Sequence, residues 1–258
     1  MSAQRADGAA RLGVVDWGIG GLGLVGMLDH AAPALPITYW SDTGAPPYGL
    51  VRTADLVRRL RMIVDRLAGE GCTEVVLACN AASTVVDRLG PTAVPVEGII
   101  THGIAAVPPA AEGMVGVVGG RRLVASGAYR RGLASPRRLI RSRVAQPLSA
   151  HIEAGRTGSP EFATDLARIT RPLRGASAVV LACTHYPAAA RHFADQLPGT
   201  TLVDPAAHLA ASIAERHRST SGSAAAERVV LTSGDPGAMR AGAEAAWGMA
   251  VAARRATL

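Results

Sequence analysis

The sequence predicts an α/β protein built from two similar halves, each with a mostly parallel sheet. Three observations carry this. Short apolar runs alternate with stretches of helical periodicity along most of the chain, which is the pattern of strand–helix–strand units. That pattern restarts near residue 114. And the run VVLAC occurs twice, at 75–79 and at 179–183, ending each time on a thiol.

The elements follow in order. LGVVD (12–16) is an apolar run that ends at a glycine-rich loop, and ITYWSD (37–42) is a second strand. Residues 53–70 place Leu56, Leu60, Ile63, Val64 and Leu67 at helical spacing with arginines between them, so an amphipathic helix is expected. EVVLAC (74–79) is the third strand, and 82–89 is a short helix stopped by Gly90-Pro91. AVPVEGII (93–100) is a fourth strand. In the second half, MVGVVGG (114–120) repeats the first strand and its loop. Residues 121–133 read as helix, 139–146 as a weaker strand and 159–173 as helix. AVVLAC (178–183) is a strand, PAAARHFADQL (187–197) a helix and TTLVD (200–204) a strand. STSGSAAAE (219–227) has the composition of a linker. VVLTSGD (229–235) and an alanine-rich helix come after the second half is complete, so they are expected to return to the first. The expected division is 1–101 plus 209–258 for one domain and 102–208 for the other.

Composition narrows the function. A chain of 258 residues suits one large domain or two small ones. Hydrophobic residues at 48% and charged residues at 18% suit a globular enzyme. No apolar run is long enough for a membrane span, and Asp16 with the glycines after it argues against a signal peptide. Three cysteines are too few for a disulfide framework and fit a reducing cytoplasm. No Cys-x-x-Cys or His-x-x-x-His pair appears, so no metal is expected. The 27 basic side chains are all arginine. Without lysine the chain cannot form the Schiff base of a pyridoxal-phosphate enzyme. The net charge is +7, and eight arginines crowd between Arg121 and Arg143. Aromatics are only 3%, which leaves little for bases to stack on. A solvated basic face is therefore favoured over a nucleic-acid surface.

The chemistry lies at the repeats. In an open parallel sheet, ligands bind at the carboxyl ends of strands. Cys79 and Cys183 both stand there, each just before an expected helix N-terminus, with Pro187 suited to the first turn after Cys183. A helix N-terminus favours thiolate over thiol. A cysteine ending a buried strand is commonly a small core residue, and Cys72 in EGCTE keeps that reading. Cys79 and Cys183, however, are followed at once by polar residues, Asn80 in one case and Thr184-His185 in the other. Two opposed thiols can remove a proton from one face of a carbon and return one to the other, inverting a stereocentre without an electron-sink cofactor. Asn80, Thr184 and backbone N–H groups are the candidate donors for the carbanion-like transition state. Asp16 and His185 are the candidates to tune the thiols.

DWGIGG (16–21), SDTGAPPYG (41–49), LACNAAS (77–83), SGAY (126–129), LACTHYP (181–187), VDPA (203–206) and TSGDP (232–236) run over nearly the whole chain. Through them it resembles the cofactor-independent glutamate racemases of the aspartate/glutamate racemase superfamily. The resemblance implies two pseudo-symmetric three-layer α/β domains with mostly parallel sheets and an active site in the cleft between them. It implies that Cys79 serves the D-enantiomer and Cys183 the L-enantiomer, assisted by Asp16 and His185. Asn80, Thr184, Tyr48 and Gly49 would hold the substrate's carboxylates and amino group, with Pro47, Trp17 and Ala81 at neighbouring substrate-binding positions. It further implies an acidic amino acid as ligand, no cofactor, no metal, and D-glutamate supply for peptidoglycan. A homodimer is allowed; a membrane or nucleic-acid partner is not expected.

Three positions depart from the family pattern. Trp17 stands where serine is usual, Ala81 where threonine or serine is usual, and Gly120 where threonine commonly follows glycine. Each lost charge-assisted hydrogen bond costs about 1.5–3 kcal/mol, so aspartate or another small acid is the alternative substrate. Gly18-x-Gly20-x-x-Gly23, with Asp42 downstream, also fits a dinucleotide fingerprint. Against it, Asp16 would set its charge beside a pyrophosphate. A non-catalytic binding protein with a basic surface is the remaining class, opposed by the retention of both thiols.

Overall fold

The computed structural model describes residues 10–218 and 226–258. Most of the linker-like stretch, 219–225, lies outside the described residues.

The first sheet takes its strands from both ends of the chain. They are β1 (Leu12–Asp16), β2 (Ile37–Ser41), β3 (Glu74–Leu77), β4 (Val96–Gly98), β9 (Arg228–Thr232) and β10 (Ala253–Arg255), in the spatial order β10-β9-β2-β1-β3-β4. The second holds β5 (Gly113–Gly119), β6 (Arg138–Val144), β7 (Ala178–Ala182) and β8 (Thr201–Val203), in the order β6-β5-β7-β8. All strand pairs are parallel. The block β2-β1-β3-β4 has the same order as β6-β5-β7-β8, so β1 matches β5 and β3 matches β7. Parallel sheets covered on both faces need strands that are apolar throughout. That is why VVLAC reads as a continuous run rather than an alternating one, and β1, β2 and β7 are buried along their whole length.

Helices cover both faces of each sheet. On one face of the first lie α1 (Leu22–Ala31), α10 (Pro205–Arg216) and α11 (Pro236–Trp247). On the other lies α2 (Thr53–Gly69), whose stripe Leu56, Leu60, Ile63, Val64 and Leu67 packs on Val15, Trp40, Val75 and Leu77. Cys72 is buried in that same layer, as a core residue. The second sheet is covered on one face by α7 (Gln146–Glu153), α8 (Pro160–Thr170) and α9 (Ala190–Gln196). Its other face is covered by α4 (Ile99–Ala105), α5 (Arg121–Ser126) and α6 (Ala128–Gly132). The remaining helix, α3 (Asn80–Ser83), is a single turn after β3.

Local differences from expectation have local causes. Ile99 and Ile100 begin α4 instead of extending β4, because the Ser83 hydroxyl accepts the Ile99 N–H at 3.1 Å and turns the chain. The helix expected over 121–133 breaks into α5 and α6 at Gly127, whose φ of 66° is left-handed and open to glycine without strain. The helix expected over 82–89 is α3 plus a 3₁₀ turn at Val86–Arg88. That expected over 187–197 opens as a 3₁₀ turn, Tyr186–Ala189, before α9. No helix among the described residues is long and apolar enough to cross a membrane.

Candidate active site

The carboxyl ends of β1, β3 and β7 converge on one cavity of about 320 Å³ between the two sheets. Asp16 ends β1, Cys79 follows β3 by two residues and Cys183 follows β7 directly. All eleven residues singled out from sequence line it: Asp16, Trp17, Pro47, Tyr48, Gly49, Cys79, Asn80, Ala81, Cys183, Thr184 and His185. Gly120 lines it too. Arg122, Gln146, Ser149 and Glu153 also line it, and the sequence reading missed them. Three of these lie on α7, whose only apolar signal is the pair Leu148 and Ile152.

Both thiols are half-buried. Cys79 caps α3, and its carbonyl accepts the Ser83 N–H at 2.9 Å. Burial, and then the Asp16 carboxylate, push the Cys79 thiol well above its ordinary pKa. The N–H groups of Ala82 and Ala81 pull the other way and lose. A thiol so placed keeps its proton at neutral pH and is an acid. The Cys183 sulfur lies 3.8 Å from His185 Nδ1.

Asp16 is buried and accepts three donors, the Trp17 N–H at 2.7 Å, the Gly21 N–H at 2.5 Å and the Thr184 hydroxyl at 2.9 Å. The last bond ties the first lobe to the second. A matching tie is the Tyr129 hydroxyl, which donates to Asn80 Oδ1 at 3.0 Å. Among the described residues the buried Asn80 Nδ2 has no hydrogen-bond partner.

His185 is buried, and burial by itself disfavours its charge. The sulfur of Cys183 and the carboxylates of Asp16 and Glu153 outweigh that, and the ring is pushed up to about 9. Glu153 Oε2 lies 3.7 Å from Nε2. The sign is that of a base gaining partners. The contribution to stability is complete below the ring's ordinary value of 6.5 and is lost as pH rises through about 9. Glu153→Gln is expected to lower the ring pKa and to move the alkaline limb of activity to lower pH. An NMR titration of the His185 ring measures this, and an unchanged midpoint would remove Glu153 from the site's electrostatics.

Several side chains expected to touch substrate already hold protein groups. The Tyr48 hydroxyl donates to Asp42 Oδ2 at 2.9 Å, and the Thr184 hydroxyl to Asp16. The Trp17 indole N–H donates to the Ala45 carbonyl at 2.9 Å, which fixes the ring as cavity wall.

The glycine fingerprint has a packing cause. A Cβ on Gly20 would stand 2.2 Å from Thr184 Oγ1, and one on Gly23 would stand 2.5 Å from the Trp247 ring. These glycines let the loop approach the other lobe and α11. Asp42 is fully buried and bonded to Arg59, Tyr48 and Ser233, so it cannot serve a ribose. Among the described residues, no group of three or more His, Cys, Asp or Glu side chains is placed to hold a metal ion.

Two matched parallel α/β lobes each bring a thiol from an interior strand to one shared cavity, which defines a pseudo-symmetric α/β protein with a cysteine-lined site between its lobes. The family model for Asp/Glu/Hydantoin racemases matches residues 13–213. The chain belongs to that family, whose members racemise without pyridoxal phosphate. It is 32% identical to a glutamate racemase of Desulforudis audaxviator over 76% of this chain and 75% of that one. Among solved structures it is similar to a Thermus thermophilus glutamate racemase in complex with β-chloro-D-alanine, with a TM-score of 0.87 and 28% identity over 98% and 99% of the two chains. It is also similar to an Escherichia coli glutamate racemase in complex with L-glutamate and an activator, with a TM-score of 0.72 and 29% identity over 93% of each chain.

Proposed function

We propose that this protein interconverts L- and D-glutamate through Cys79 and Cys183. One observation carries the mechanism: the two thiols line a single cavity, one from each lobe. One sulfur, as thiolate, takes the Cα proton. The other, as thiol, delivers its proton to the opposite face of the carbanion. Protons and charge balance, because one sulfur gains the proton that the other gives up. In the reverse direction the roles exchange. Asn80, on the cavity wall, would donate to the substrate carboxylate, where negative charge grows in the transition state. His185 supports Cys183 as its charged neighbour, and Asp16 holds the Thr184 end of the second lobe against the first. The product would supply D-glutamate for peptidoglycan, and the enzyme would work in the cytoplasm.

The test is racemisation in deuterated water, with L- and D-glutamate and with both aspartate enantiomers as comparison. Deuterium is expected at Cα of glutamate from either enantiomer. Faster exchange with aspartate would transfer the assignment to the smaller acid, and absence of exchange with all four would defeat it.

A further inference from the structure

The charged side chains that line the catalytic cavity are the carboxylates of Asp16 and Glu153 and the cations His185 and Arg122. The charge of His185 is matched, because the Cys183 sulfur, Asp16 and Glu153 all favour its protonated ring. That of Arg122 is not. Burial lowers its pKa and no carboxylate raises it. A guanidinium keeps its proton at neutral pH all the same, so a positive charge without a counter-ion stands on the wall.

Arg122 belongs to α5 of the second lobe, but its partners belong to the first. Its Nε donates to the Tyr48 carbonyl at 2.9 Å, its Nη1 to the Thr53 hydroxyl at 3.4 Å and its Nη2 to the Val51 carbonyl. All three acceptors are neutral. They fix the group beside Tyr48 and Gly49, which also wall the cavity, and they leave its charge uncancelled. A guanidinium carries five N–H donors, so two remain after these three. A group held in advance loses little further freedom when a ligand binds.

An amino dicarboxylate brings two carboxylates and one ammonium to this cavity. Beside Asp16 or Glu153 the second carboxylate would meet like charge. Beside Arg122 it would meet a fixed fork whose geometry suits carboxylate oxygens. We propose that Arg122 is a specificity-determining residue that reads the distal carboxylate of the substrate and so selects acidic over neutral amino acids. The inference deepens the racemase reading and rests on it.

Calorimetric titration with D-glutamate and D-glutamine tests it, because the two ligands match in shape and differ in the distal charge. The proteins are wild type, Arg122→Gln and Arg122→Lys, each verified as folded by a circular-dichroism melt. Wild type is expected to favour glutamate. Arg122→Gln should bind glutamate about tenfold or more weakly and glutamine almost as before. Arg122→Lys keeps the charge without the fork, so it should recover part of the preference. In Cα deuterium exchange with glutamate, the loss should fall on KM rather than kcat. An equal loss for both ligands in either variant would reduce Arg122 to a prop for the 48–53 segment and overturn the proposal. So would wild type that exchanges glutamate but binds glutamine as tightly, and the racemase reading would then stand alone. Wild type that neither binds nor exchanges glutamate would sink that reading and this inference with it.

Discussion

Cys79→Ala and Cys183→Ala are each expected to abolish racemisation while leaving the protein folded. Inversion needs an acid on one face of Cα and a base on the other. With either sulfur removed, one half of the proton transfer has no agent. General acid–base groups contribute about 10²–10⁴-fold each, so a loss of roughly 10³-fold or more is expected in turnover measured by polarimetry. Serine in place of either cysteine should not rescue, because its hydroxyl is far too weak an acid to alternate between the two roles. The two variants should also differ. Residual deuterium exchange without inversion should be confined to L-glutamate in Cys79→Ala, where Cys183 remains, and to D-glutamate in Cys183→Ala. Both thiols are only half-buried, so shortening them removes little packing and folding is not at stake. Near-normal turnover in either variant would end the two-thiol account.

Arg59→Ala is expected to cause a large loss of stability from a residue outside the cavity. Asp42 has no exposed surface, and Arg59 of α2 donates to both of its oxygens, at 2.5 and 2.6 Å. Tyr48 and Ser233 complete the set at 2.9 Å each. Removing one partner of a buried pair strands the other charge, at about 3–5 kcal/mol. Arg59 retains contact with solvent at 29% side-chain exposure, so the lower end applies, about 3 kcal/mol. For a domain of this size that lowers Tm by roughly 6–12 °C. Thermal unfolding by circular dichroism reads it directly, and a shift within about 2 °C would show the pair to be marginal. Function should suffer as well, because Asp42 anchors Tyr48, a wall of the cavity.

Both predictions draw on parts of the molecule that differ in how openly the chain declares them. The strands were legible because a parallel sheet covered on both faces demands apolar residues at every position. Cys79 and Cys183 were legible because each interrupts such a run with a thiol and then with polar residues. Asp16, the PYG segment and Thr184-His185 were legible through motif likeness. Glu153, Gln146 and Ser149 were not. They lie on α7, where the apolar periodicity is two residues deep and nothing local marks a site. Arg122 was hidden as one of eight arginines between Arg121 and Arg143. Only the fold separates it from Arg138 and Arg141, which bond carbonyls of their own lobe at Ala111 and Pro172.

The chain by itself determined the repeated strand–helix architecture, the pair of thiols and the exclusion of Schiff-base chemistry, since these follow from residue type and near-neighbour spacing. Only the tertiary structure decided which polar groups are free. The Tyr48 and Thr184 hydroxyls are bound to protein, Asn80 Nδ2 has no partner among the described residues, and the pKa of His185 is raised by groups from three separate segments. The reason is physical. Hydrogen-bond satisfaction and local potential depend on distances between residues remote in sequence, and periodicity carries no record of those distances.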